Sequence, residues 1–173
     1  MGFSERNLDL VKKTVSKPYG LFFVCGPTGS GKTTTLHSIL KHINTPDTKI
    51  WTAEDPVEIT QKGLRQVQIN KKAGLTFDII MRAFLRADPD VIMVGEMRDL
   101  ETVSIAIETA ETGHLVFGTL HTTTAASTID RIIDQFPVDR QPQVRVMLAE
   151  SLKGVIAQVL CRKIGGGRVA AKE

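Results

Sequence analysis

Short apolar runs alternate along the chain with segments of helical periodicity. Residues 21–25, 91–94 and 115–119 are apolar or nearly so and too short for buried helices, so they predict inner strands of a sheet. Residues 49–52 and the alternating stretch 64–69 predict two more strands.

Helical spacing predicts helices between these strands. They cover residues 7–16, 32–42, 76–87 and 100–112. Thr76 is the predicted N-cap of the third helix, and Gly113 is the predicted left-handed C-terminal cap of the fourth. Residues 125–161 are predicted to be mostly helical, with breaks near Pro137 and Pro142. Helices that alternate with strands indicate an α/β domain whose mostly parallel sheet is covered on both faces.

The composition narrows the class of protein. The chain has 173 residues, 42% hydrophobic and 24% charged, which is typical of one soluble globular domain. Its 22 basic and 19 acidic side chains are interspersed, so no nucleic-acid partner is expected. Cys25 and Cys161 are far apart and predict buried, reduced thiols rather than a zinc site or a disulfide. Without a membrane-spanning run or a signal peptide's apolar stretch, we expect a cytoplasmic protein.

A glycine-rich segment between the first predicted strand and the next helix matches the pattern G-x-x-x-x-G-K-[ST]. Glycines in such a loop let backbone N–H groups turn toward phosphate oxygens, and the helix N-terminus adds partial positive charge. We therefore predict that the loop binds ATP, with Lys32 at the β- and γ-phosphates and the Thr33 hydroxyl on Mg²⁺. The predicted nucleotide-binding residues are Gly26, Pro27, Thr28, Gly29, Ser30, Gly31, Lys32, Thr33 and Thr34.

A carboxylate follows the apolar strand at residues 91–94, at the edge of the sheet where ligands of parallel sheets bind. Glu96 comes one residue beyond that strand, after Gly95. This placement predicts Glu96 near the magnesium ion, as a second metal ligand. The alternative is an exposed glutamate paired with Arg98.

Further polar candidates follow two other predicted strands. Glu54, Asp55 and Glu58 come after the second predicted strand, where a carboxylate could orient or deprotonate the attacking water. Spacing alone does not separate these three, and each is equally well explained as a solvated loop acid. His121 follows the last predicted strand and is a candidate γ-phosphate contact, although a lone histidine there is more often structural. His114 precedes that strand and has a weaker case.

Four motifs in this order resemble those of the secretion ATPase family of type IV pili and type II secretion systems. They are a Walker A motif at 26–33, an aspartate box at 54–58, a Walker B box at 88–99 and a histidine box at 113–122. The resemblance implies a P-loop NTPase of RecA-like fold, a three-layer α/β/α domain with a mostly parallel sheet. It also implies Glu54 as the catalytic carboxylate that activates water, Glu96 as the Walker B carboxylate and His121 as the γ-phosphate contact.

The resemblance extends to assembly. Family members are implied to be ring-shaped homo-hexamers that act on an inner-membrane platform protein, and so to be peripheral to the membrane through their partners. Their N-terminal domain supplies arginines to the site. The resemblance implies that residues 1–173 are the C-terminal ATPase domain without that N-terminal domain. Residues 165–171 resemble a segment that normally continues into another strand and further helices. Without the arginines we expect nucleotide binding with slow hydrolysis.

The leading prediction is an ATP-hydrolysing motor for pilus retraction. The segments 117–119, 128–137 and 143–145 resemble the retraction branch of the family. Gly2-Phe3-Ser4 and the segments 16–20 and 65–70 instead resemble the assembly and export branch. Members of that branch usually carry a four-cysteine zinc insertion, and this sequence has two cysteines in all.

Other classes of function remain as alternatives. A GTPase is disfavoured because residues 70–73 lack the aspartate of the N-K-x-D motif. A small-molecule kinase would phosphorylate an acceptor instead of releasing phosphate. A nucleic-acid translocase rests on the fold alone. The non-enzymatic alternative is a nucleotide-binding and subunit-contact module with little hydrolysis.

Overall fold

The structure is a computed structural model that describes residues 3–173, so Gly2 of the segment Gly2-Phe3-Ser4 lies outside it. The helices are α1 (Glu5–Val15), α2 (Lys32–Ile43), α3 (Phe77–Leu85), α4 (Leu100–Glu111), α5 (Ala125–Ile133) and α6 (Gln141–Ser151). The strands are β1 (Gly20–Cys25), β2 (Ile50–Glu54), β3 (Leu64–Gln68), β4 (Val91–Val94), β5 (Leu115–Leu120), β6 (Leu152–Arg162) and β7 (Arg168–Lys172).

The strands form one sheet in the order β3-β2-β4-β5-β1-β6-β7. Every neighbouring pair is parallel except β6 and β7, which are antiparallel. The register pairs Cys25 with Leu120 and Val94 with Gly118, so β1, β4 and β5 end at the same edge of the sheet. Glu96 and His121, which follow β4 and β5, lie at this edge.

The inner strands send alternate side chains into two apolar clusters, one on each face of the sheet. In β1, Leu21 and Phe23 join the cluster that includes α3, α4, α5 and α6. Phe22 and Val24 join the opposite cluster, which includes α1 and α2. The predicted three-layer α/β/α architecture is confirmed.

For one segment, the sequence predicted the wrong kind of secondary structure. Residues 152–161 were predicted to be helical, but they form β6, which pairs in parallel with β1. An apolar run of this kind is compatible with either structure, and the free edge of β1 decides in favour of a strand. Gly154 fits this placement, because a Cβ there would lie 2.6 Å from a carbon of the Phe22 ring.

Two smaller expectations also need correction. Cys25 is buried as expected, but Cys161 is exposed because it lies near the end of β6, beyond the cover of the helices. Thr76 occupies the N-cap position of α3 without making a side-chain cap, because its hydroxyl donates to the Asp78 carboxylate instead. Gly113 does adopt a positive φ, 107°, after α4. Among residues 3–173, no helix is long and apolar enough to cross a membrane.

Candidate active site

The loop between β1 and α2 has the shape of a phosphate cradle. Gly26 anchors its start, where the backbone N–H donates to the carbonyl of Leu120 at 3.2 Å. Gly29 and Gly31 have φ values of 77° and 87°, which L side chains rarely adopt. The first N–H groups of α2 have no partner one turn back, and they carry the positive end of the helix dipole. The loop therefore presents backbone donors and partial positive charge at the sheet edge.

Lys32 supplies the charged end of this loop. Its Nζ donates to the carbonyl oxygens of Gly26 at 2.8 Å and Pro27 at 3.1 Å, so the side chain lies across the loop. Burial lowers the pKa of Lys32, and the nearby Glu96 carboxylate partly opposes that shift. A partly desolvated ammonium group of this kind suits the recognition of phosphate oxygens.

The predicted loop residues do not all face the same way. Thr28, Gly29, Lys32 and Thr33 line the cleft. Ser30 points inward: its N–H donates to the Pro27 carbonyl at 3.1 Å, and its buried hydroxyl has no partner among residues 3–173. We conclude that Ser30 shapes the loop. The side chain of Thr34 is exposed on the first turn of α2.

Gln158 of β6 supports the loop from below, and sequence reasoning missed it. Its side-chain amide donates to the Ser30 carbonyl at 2.7 Å and accepts from the Thr35 hydroxyl at 2.8 Å. A Cβ at position 26 would lie 2.2 Å from the Gln158 carbonyl oxygen, so Gly26 is needed for this close approach. Sequence reasoning missed Gln158 because residues 152–161 were predicted to be helical, and a helix would not place this side chain under the loop.

The loop borders an open cleft with a volume of about 250 Å³. The remaining residues that line it come from the ends of β2, β4 and β5, from α2 and from the loops that follow the strands. They are Leu36, Glu54, Asp55, Pro56, Glu58, Met93, Gly95, Glu96, Arg98, Thr119 and His121. The structure thus brings all three predicted catalytic residues to one cleft beside Lys32 and Thr33.

Glu96 and His121 are in direct contact. The imidazole Nε2 of His121 and the Nε of Arg98 both contact the same carboxylate oxygen of Glu96. The alternative pairing of Glu96 with Arg98 is therefore present, but the carboxylate also borders the cleft.

The turn that carries Glu96 is fixed between two strands. The N–H of Gly95 donates to the Ala53 carbonyl at 2.7 Å, and the N–H of Met97 donates to the Thr119 carbonyl at 3.1 Å. The Thr119 hydroxyl donates to the Gly95 carbonyl at 2.6 Å. Gly118 makes room for Met97, because a Cβ there would lie 2.4 Å from the Met97 methyl carbon. The position of Glu96 is therefore set by backbone hydrogen bonds on both sides.

Glu54 ends β2 and is held by three donors. One carboxylate oxygen accepts from the Thr52 hydroxyl at 2.6 Å and from the Gln66 amide at 2.9 Å. The other lies 3.2 Å from Nε2 of His37. Burial acts to raise the pKa of Glu54, but the hydrogen bonds from His37, Thr52 and Gln66 together lower it below the ordinary value. The residue is therefore an ionised, oriented carboxylate at the cleft.

The other two acids of the aspartate box differ from Glu54 in exposure. Asp55 forms a 3.8 Å ion pair with Lys71, and 43% of its side chain is exposed. Glu58 is also exposed. Of the three carboxylates that spacing could not separate, Glu54 is the buried one, and three side chains contact its carboxylate. His114 lies before β5, away from the cleft, with Nδ1 3.2 Å from the Thr109 carbonyl.

His37 is the second residue that sequence reasoning missed. It lies on α2, one turn beyond Thr33, and its side chain is only 4% exposed. The Glu54 carboxylate raises the pKa of His37, and burial opposes that shift. The i+4 spacing from Thr33 could have indicated a shared helix face. The partner on β2 was not visible in the sequence.

The two predicted metal ligands have side chains that are chemically suited to Mg²⁺. Thr33 and Glu96 both line the cleft, and their hydroxyl and carboxylate oxygens are the hard ligands that this ion takes. Protein sites usually hold Mg²⁺ through one or two such groups together with substrate phosphates. The residues therefore fit the ion.

The chain is similar in sequence to known proteins of one family. A family model described as "Type II/IV secretion system protein" matches residues 1–167. The type IV pilus retraction ATPase PilT of Pseudomonas aeruginosa is 52% identical over 170 residues, which are 95% of this chain and 49% of that protein. The type IV pilus assembly ATPase PilB of Thermus thermophilus is 50% identical over 164 residues, 95% of this chain and 18% of that protein.

A solved structure shares the fold. The crystal structure of the pilus retraction motor PilT with bound ADP superposes with a TM-score of 0.90 at 49% identity, covering 100% of this chain and 50% of that one. The predicted RecA-like P-loop fold is confirmed. The chain spans about half the length of the retraction ATPases and a smaller share of the assembly ATPase.

Proposed function

The chain belongs to the type II/IV secretion system protein family, and we propose on that premise that it binds Mg²⁺–ATP in the cleft and hydrolyses it as part of a mechanical motor. Within the family, we favour the pilus retraction motor. The relatives named above are ATPases of pilus machines, and one of them was solved with ADP.

The observation that carries the proposal is the convergence of four elements on one cleft. The first turn of α2 brings Lys32 and Thr33, Glu54 ends β2, and the turns after β4 and β5 bring Glu96 and His121. Phosphoryl transfer needs chiefly positioning and electrostatic stabilisation, which are what these groups supply.

Each group has a proposed role. The N–H groups of the loop and the Lys32 ammonium bind the phosphates. Mg²⁺, held by Thr33 and Glu96, would neutralise charge that develops on the phosphate oxygens. Glu54 orients the attacking water and accepts its proton as the bond to the γ-phosphorus forms and the bond to the leaving oxygen breaks. His121, beside Glu96, contacts the γ-phosphate.

The proposal for retraction rests on the segments 117–119, 128–137 and 143–145, which resemble the retraction branch in sequence. Gly118, in the segment that resembles the retraction branch, leaves the space that Met97 fills next to Glu96. The identities of 52% and 50% to retraction and assembly ATPases differ too little to decide the branch. The homo-hexamer, the platform protein and the position at the cytoplasmic face of the inner membrane are parts of the same proposal.

Phosphate release from ATP and from GTP tests the enzymatic proposal. We expect slow, ATP-selective release, and loss of ATP binding in Lys32→Ala. His42→Gln, an exposed change on the same helix, should behave as wild type. Equal ATP affinity in Lys32→Ala and wild type would contradict the assignment of the cleft.

A chimaera tests the branch. The matching 170-residue core of the Pseudomonas aeruginosa retraction ATPase would be replaced by this chain, and twitching motility would be measured. We expect motility to be restored. Restored pilus assembly in the equivalent assembly-ATPase chimaera, with no motility in the first, would favour the alternative of an assembly or export motor.

A further inference from the structure

His37 is a buried, ionisable side chain that the proposed chemistry does not use. Its imidazole lies between α2 and the end of β2, with Nε2 3.2 Å from Glu54 and Nδ1 3.2 Å from the side-chain amide of Gln61. Because it sits one turn beyond Thr33, it ties the helix that begins at the phosphate loop to the strand that ends in Glu54.

The two oxygens of Glu54 are held differently. Thr52 and Gln66 both donate to Oε1, whereas His37 is the partner of Oε2. Thr52 lies on the same strand, and Gln66 lies opposite Thr52 on β3. Without His37, Oε2 would lose its donor and the carboxylate could turn about the contacts that remain.

The orientation of Gln61 does not change this arrangement. With its oxygen toward His37, the amide accepts from Nδ1, and the imidazole then carries a proton on both nitrogens because the ionised Glu54 carboxylate can only accept from Nε2. With its NH₂ group toward His37, the amide donates to Nδ1 and its oxygen accepts from the Lys41 backbone N–H at 3.1 Å. In both orientations the Nε2 proton of His37 faces Glu54.

We propose that His37 is a positioning residue for ATP hydrolysis: its Nε2–H holds Oε2 of Glu54 and so fixes the carboxylate relative to the phosphate loop. The inference rests on the proposed function, because it requires Glu54 to act on the attacking water. One helical turn and one hydrogen bond then set the distance between Thr33 and Glu54. A misplacement of about 1 Å in such a group can cost about 10²-fold in rate.

The kinetic test compares His37→Ala, His37→Gln and the control His42→Gln, with folding of each variant checked first by thermal unfolding. His37→Ala should release phosphate about 10- to 100-fold more slowly at saturating ATP, with KM changed by less than about threefold, because the loop that binds phosphate is untouched. His37→Gln keeps an amide donor at the same helical position and should recover part of the rate. His42→Gln should have no effect.

The effect of His37→Ala on the rate of phosphate release should depend on the Glu54 carboxylate. In a Glu54→Gln background, adding His37→Ala should slow phosphate release no further, because the group that His37 positions is already disabled. A purely structural contribution of His37 would instead add to the effect of Glu54→Gln.

The nucleotide-free protein offers a second readout. The His37 Nε2 proton should give a downfield NMR signal that exchanges slowly with solvent, because the side chain is buried and bonded to a carboxylate. The signal should persist in His42→Gln, move upfield in Glu54→Gln and be absent from His37→Gln.

The outcomes separate the two proposals. If wild type releases no phosphate, or Glu54→Gln is fully active, the proposed function of the cleft is wrong and the inference fails with it. If Glu54→Gln is inactive while a folded His37→Ala keeps the wild-type rate, only the role of His37 is overturned.

Discussion

Gln158 should be as important to the nucleotide site as residues that touch the cleft. Its side chain is 3% exposed and connects β6 to the loop through Ser30 and Thr35. Gln158→Leu is similar in size but removes both hydrogen bonds and leaves the Ser30 carbonyl and the Thr35 hydroxyl without a partner.

The expected cost follows from those two groups. Each buried polar group left unpaired costs about 1–3 kcal/mol, so the loss of two partners should lower the free energy of unfolding by about 2–6 kcal/mol. For a chain of this size 1 kcal/mol corresponds to about 2–4 °C, which predicts a Tm lowered by about 4–24 °C. Part of the binding free energy would then be spent on ordering the loop, so ADP should bind about tenfold more weakly, which is ~1.4 kcal/mol.

Thermal unfolding and calorimetric titration with ADP check these values. Gln143→Leu is the matched control, because Gln143 is exposed on α6 and an exposed change of this kind lies within about 0.5 kcal/mol of wild type. If Gln158→Leu has the same Tm and ADP affinity as Gln143→Leu, β6 does not support the loop and the reasoning is refuted.

Two further predictions concern the groups around the cleft. The His37–Glu54 pair should stabilise the fold most between pH 4.5 and 6.5, the ordinary pKa values of the two side chains, because folding raises the pKa of His37 and lowers that of Glu54. In urea unfolding, the advantage of wild type over the double variant His37→Gln/Glu54→Gln should fall below pH 4.5 and above pH 6.5 as each group loses its charge; a flat difference would contradict the pairing. Gly118→Ala should cost about 1–3 kcal/mol by overpacking and slow phosphate release, because the new Cβ displaces Met97 next to Glu96. An unchanged Tm and rate would show that Met97 moves freely.

Local patterns in the sequence were sufficient for most of the fold. The inner strands and the loop before α2 are specified by short apolar runs and by glycines at fixed spacing, so both could be predicted. The segment that became β6 could not, because only the free edge of β1 distinguishes a strand from a helix there.

The candidate site was predictable in part for a similar reason. Glu54, Glu96 and His121 follow strands whose ends share one edge of the sheet, so their convergence follows from the topology. His37 and Gln158 act through partners that are 17 and 128 residues away in sequence, and such pairings arise only when the elements pack. The choice of Glu54 over Asp55 likewise required the burial that β3 and α2 provide.

Single-turnover conversion of bound ATP to ADP, measured in wild type and in Glu96→Gln, tests the account most directly. Glu96→Gln removes the carboxylate charge at the predicted metal site and leaves the phosphate loop intact. We expect wild type to convert bound ATP slowly, whereas Glu96→Gln should bind ATP and keep it unhydrolysed. Conversion by Glu96→Gln at the wild-type rate, or the absence of ATP binding in both proteins, would contradict it.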